Sequence, residues 1–90
     1  MKNVIVRLRG DVARAWASGG QDERAAAVRT ALTRMRAELR PQHPGVADPE
    51  LQSWFTVSVA NEEQAESIVS LLREMEAVEA AYVEPRAEPA

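Results

Sequence analysis

Cysteine is absent from this 90-residue chain. That gap excludes disulfide staples, thiolate chemistry and cysteine-ligated metals together. Small secreted domains often depend on disulfides, so the gap leans towards an intracellular or partner-stabilised protein. Histidine occurs once, as His43 in a proline-rich stretch. With no second imidazole and no thiolate, a transition-metal site has no ligand set, and His43 reads as a solvated loop residue. No glycine-rich phosphate loop or dinucleotide motif is present. Glutamates are plentiful, but none is spaced with a nucleophile or a base partner. These absences point away from an enzyme and away from any cofactor. No apolar run is long enough to span a membrane, and none follows Met1 as a signal core. Taken as a complete gene product, the chain is expected in the cytoplasm, with no membrane partner.

What is present has the length for one core. A domain of this size buries about 60–70% of the surface that its unfolded chain exposes, so every apolar element has to pack. Residues 1–40 hold nine basic and four acidic side chains, whereas residues 41–90 hold two basic and ten acidic ones. A basic half can indicate nucleic acid. Here it reads instead as a basic helix beside an acidic one, because aromatics are only 4% of the chain and no stacking platform accompanies the charge. Nucleic acid is therefore not expected as a partner.

Residues 3–9 alternate and are rich in β-branched side chains, a strand signature. Val4, Val6 and Leu8 share one face; Ile5, Arg7 and Arg9 share the other. Gly10-Asp11 ends the strand, and Asp11 is placed to cap a short helix carrying Val12 and Trp16. Gly19-Gly20 breaks it. The spacing of Ala25, Val28, Leu32, Met35 and Leu39 predicts a helix over 22–39, stopped by Pro41. Residues 41–50, with three prolines and a glycine, predict an extended connection without helix. A second strand follows over 51–59, with Leu51, Phe55, Val57 and Val59 on one face and Trp54, Thr56 and Ser58 on the other. Asn61-Glu62-Glu63-Gln64 has the form of a capping box and opens a helix to about Met75, with Ala65, Ile68, Val69, Leu72 and Met75 inward. Residues 78–83 form the last strand, and residues 86–90 read as an extended tail beyond a domain of residues 1–85.

Strands interleaved with helices predict an α+β sandwich, two helices on one face of a small antiparallel sheet. Two helices cover one face only. The other face is expected to show Ile5 and Trp54, with either Ala80 and Tyr82 or Ala81 and Val83. Exposed apolar groups that include a tryptophan mark a protein contact. The alternatives are that the Val12–Trp16 segment or the tail folds over this face, or that a homodimer buries it.

The second half of the chain carries a resemblance. Phe55-Thr56-Val57-Ser58-Val59, Asn61-Glu62-Glu63-Gln64-Ala65, Leu71-Leu72, Val78 and Ala81-Tyr82-Val83-Glu84-Pro85 together resemble the ending of propeptides of subtilisin-type serine proteases, a family that includes stand-alone protease inhibitors. In that family an apolar alternating strand leads into a Glu-rich helix. A short valine strand follows, ending in Val-Glu and an acidic residue or proline. Val4-Ile5-Val6 resembles its first strand. The family has a hairpin before the strand matched by Phe55; here the proline-rich residues 41–50 stand in place of its first strand, which predicts a degenerate edge.

The resemblance implies a ferredoxin-like fold and a subtilisin-like serine protease as partner, inhibited or helped to fold. Ile5, Trp54 and Tyr82 would dock on the protease, and Glu62 and Glu63 would sit near N-termini of its helices. Ala87, Glu88, Pro89 and Ala90 would enter the active-site cleft. The competing expectation is an interaction or regulatory subunit of the same fold that dimerises through its open sheet face.

Overall fold

The strand signals of the sequence meet in one antiparallel sheet. The computed structural model describes residues 2–19 and 22–85. Chain order gives β1 (Lys2–Leu8), α1 (Gly10–Ser18), α2 (Glu23–Arg34), β2 (Leu39–Pro41), α3 (Pro49–Gln52), β3 (Trp54–Val59), α4 (Glu62–Arg73) and β4 (Val78–Val83). The strands lie in the order β2-β3-β1-β4. Together with the helical crossovers, this makes the fold a small ferredoxin-like α+β sandwich.

Register decides the two faces. Val4 lies opposite both Val57 and Val83, and Val6 opposite both Phe55 and Ala81. These side chains therefore share one face with Leu8 and Val59, and all but half-buried Val83 are buried. Val12 of α1, Val28 and Leu32 of α2, and Ile68 and Leu72 of α4 close over them in one core. Helix α1 thus joins the other two on the covered face. Its Trp16 meets the edge of Phe55, with ring centroids 5.8 Å apart. The alternative in which the Val12–Trp16 segment folds over the open face is not met, because Val12 and Ala13 are drawn into the core.

Several boundaries differ from the sequence reading. Helix α2 stops at Arg34 rather than Leu39. Arg36 takes a left-handed φ of 57°. Its N–H donates to the Thr33 carbonyl (3.0 Å), and the Ala37 N–H donates to the Leu32 carbonyl (2.8 Å). This is a Schellman stop built on arginine where glycine is usual, so no glycine announces it. Leu39, the expected last turn of the helix stripe, is instead the first residue of β2, opposite Val57 and buried. The edge strand is degenerate, as the proline-rich stretch suggests, but it precedes most of that stretch.

A short helix, α3, also forms where none is expected. Asp48 caps it by accepting the Glu50 N–H (2.9 Å), and Pro49 occupies its first turn. Leu51 consequently lies on α3, 36% exposed, and not in β3 facing the core. Asp11 does not cap α1 either. Arg9 holds that position, and the Asp11 carboxylate accepts the Val12 N–H from within the first turn.

Helix α4 starts as expected. Asn61 Oδ1 accepts the Gln64 N–H (2.8 Å), while Gln64 Oε1 reaches back to the Ala60 N–H (3.1 Å). The helix ends at Arg73, a little before Met75. Among the described residues, no helix is long and apolar enough to cross a membrane.

Candidate functional site

The face of the sheet opposite the helices is the candidate protein contact. Ile5 lies opposite Thr56 on one side and Tyr82 on the other; Arg7 lies opposite Trp54 and Ala80. Of the two expected pairs on β4, the register therefore puts Ala80 and Tyr82 on this face. Tyr82 is 40% exposed and Trp54 is half-buried.

Ile5 departs from expectation: it is on the open face but only 7% exposed. It sits on a central strand, and cross-strand neighbours on both sides screen it. It is the floor of the face rather than a projecting contact. A shallow groove of about 420 Å³ runs above it, lined by Ile5, Gln42, His43, Leu51, Trp54, Tyr82, Glu84 and Pro85.

Arg7 organises one end of this face. Its guanidinium lies 5.4 Å from the Trp54 ring centroid and pairs with Glu50 of α3 at 3.0 Å. Its Nε is 3.4 Å from Glu79 Oε2 but is not aligned for a hydrogen bond. The cation over the indole contributes about 0.5–1 kcal/mol at a site this open. More usefully, it limits the positions the Trp54 ring can take. Gln42, just past β2, donates its side-chain amide to the Thr56 hydroxyl (3.0 Å). The groove is thus apolar at its centre, with carboxylates of Glu50, Glu79 and Glu84 near its margins.

Sequence reasoning found Trp54 and Tyr82 but missed Leu51, Gln42 and His43 as groove residues. The turn through α3 brings Leu51 over the sheet, whereas Gln42, followed by His43, continues from β2 and donates its N–H to the Trp54 carbonyl (3.1 Å). Gln42 had a signal in the alternation with Arg40, legible once β2 is placed.

Glu62 and Glu63 are exposed in the first turn of α4. They follow the last residue of β3, whereas Trp54 is its first. At about 3.3 Å per residue the two ends of β3 are roughly 17 Å apart, and neither glutamate lines the groove. They share the sheet end from which the chain leaves β4, where the Glu84 N–H donates to the Asn3 carbonyl (2.8 Å). The tail residues Ala87, Glu88, Pro89 and Ala90 lie outside the described residues.

The basic half of the chain is partly engaged internally. Arg24 pairs with Asp11 and Asp22, and Arg29 lies 4.4 Å from the Trp16 ring centroid. Among the described residues, no three His, Asp or Glu side chains converge as a metal site. Comparison of the chain with protein-family models, with curated proteins and with solved structures finds no match.

Proposed function

We propose that this domain binds a subtilisin-like serine protease as a propeptide-type inhibitor or folding helper, with its open sheet face against the enzyme and its C-terminal tail in the active-site cleft. The observation that carries the reading is the one-sided sandwich. Three helices close one face, while the other offers a groove with Trp54, Tyr82 and Leu51 at its surface and Pro85 at its margin. Trp and Tyr are the side chains that most often dominate binding energy at such faces. Ile5 supports Tyr82 from beneath, and Arg7 steadies Trp54.

An extended tail gains affinity by adding a strand to the edge of an enzyme's sheet, while small side chains enter its pockets. Ala87, Glu88, Pro89 and Ala90 suit that role. Glu62 and Glu63, at the sheet end where the tail departs, would meet helix N-termini of the protease, which favour carboxylates.

Inhibition of a subtilisin-type protease by the full chain, and by a chain ending at Arg86, tests this. The truncation is expected to weaken inhibition by about tenfold or more, equivalent to ~1.4 kcal/mol. Equal inhibition by both chains, or none by either, overturns it. The second reading, a regulatory subunit that dimerises through the same face, draws on the same half-buried Trp54 and exposed Tyr82. It predicts a concentration-dependent dimer that is indifferent to the truncation and lost in Trp54→Ala.

A further inference from the structure

The sheet has two edges, and they are protected differently. The β2 edge is three residues long and ends at Pro41, which has no N–H to offer. The β4 edge is twice that length and contains no proline.

Its main-chain groups can be sorted by alternation. The Glu84 N–H donates inward to Asn3 of β1 (2.8 Å), so the groups of Glu84 and Tyr82 turn towards β1, and those of Ala81 and Val83 turn away from the sheet. Among the described residues, those outward groups meet one partner: Arg73 Nε of α4 donates to the Ala81 carbonyl at 2.9 Å. A long exposed side chain is thereby folded onto the middle of an open edge. A bulge opposite Arg7 and Leu8 distorts the start of the same strand. The stretch open to pairing is therefore centred on Ala81.

We infer that Arg73 is a guard that keeps the β4 edge from pairing with the β4 edge of a second copy of this chain. A second copy fits this edge. In an antiparallel two-fold pairing about Ala81, Ala81 meets its own counterpart and Tyr82 meets Ala80, a large side chain against a small one on the open face. Glu79 then faces Val83 rather than another glutamate, so no like charges are opposed. The Ala81 carbonyl that would form the central bond is the one Arg73 occupies. Its removal opens the register without altering either strand.

Sedimentation of three variants across a wide concentration range tests the inference. Arg73→Met keeps the aliphatic stem and the helix propensity but lacks the donor; Arg73→Ala removes the apolar stem as well. Both are expected to form a dimer where the wild type is a monomer. In the dimer, hydrogen exchange at the Ala81 amide slows as concentration rises. Adding Val83→Pro to Arg73→Met deletes an outward amide and is expected to restore the monomer. Three results overturn the inference: monomeric Arg73 variants, a dimer formed by the methionine variant but not the alanine one, or a dimer that survives Val83→Pro. If the Arg73 variants do not fold, exchange in the wild type decides: an Ala81 amide already protected in the monomer means that the edge is closed by something else.

Discussion

Arg24 holds two aspartates at once, Asp11 from α1 and Asp22 at the cap of α2. Asp22 also accepts the Arg24 and Ala25 N–H groups at 2.8 and 3.3 Å, so one carboxylate both caps a helix and binds the arginine that follows it. The hydrogen bond from the Arg24 guanidinium is the main reason that both carboxyls titrate below the ordinary 3.8 of aspartate. A depressed folded-state pKa stabilises the fold above the unfolded value, and that contribution fades as pH falls through the folded one. Urea unfolding should therefore show stability constant near neutrality and declining below about pH 4. Arg24→Gln should flatten this acid limb, since the aspartates then titrate closer to their unfolded values. An unchanged acid limb in that variant would place the sensitivity elsewhere.

At the scale of elements, the segment between α2 and β3 carries most of the departures from the sequence reading, and each has a local cause. Periodicity through Met35 and Leu39 continues a helix on paper. The left-handed turn at Arg36 ends it, and Leu39 is drawn into the sheet beside Val57. Leu51 alternates correctly with Phe55 and Val57 and so looks like a strand residue. Asp48 and Pro49 instead start a helical turn and carry it onto the open side. Two truncations separate these environments. Leu39→Ala, at a buried site, should cost about 2–5 kcal/mol. Leu51→Ala, at an exposed one, should stay within about 0.5 kcal/mol. Urea midpoints with the reverse order would return Leu51 to the core and Leu39 to the surface.

For the whole molecule, the two tryptophans report on opposite sides. Trp16 is packed against Phe55 and Arg29 among the helices, and Trp54 lies over the open sheet beside Arg7. A partner that docks on the open side should shift emission from Trp54 alone. The shift should persist in Trp16→Phe and vanish in Trp54→Phe. A shift that follows Trp16 would move the interface to the helical side. The same measurement on dilution reports self-association through the open face, so it addresses both functional readings. Asymmetry of this kind follows from size: a chain of 90 residues has material for one core, and closing one face leaves the other thinly covered.

The amino-acid pattern alone determined β1, β3, α4 and β4, together with the side chains that face the helices in β1 and the upper part of β3. Alternation with β-branched residues and a capping box with its apolar stripe are local signals that need no distant partner. It also determined that Trp54 would lie opposite the core, because strand alternation admits no other face once Phe55 is inward. Only tertiary structure decided the extent of β2, the placement of α1 against α2 and α3, and the screening of Ile5. Each depends on which elements become neighbours: Leu39 is buried opposite Val57, and Ile5 is covered because β3 and β4 flank it on both sides. Cross-strand proximity of this kind joins Leu39 to Val57, 18 positions on, and Ile5 to Thr56 and Tyr82, 51 and 77 positions on, and no short-range pattern encodes it.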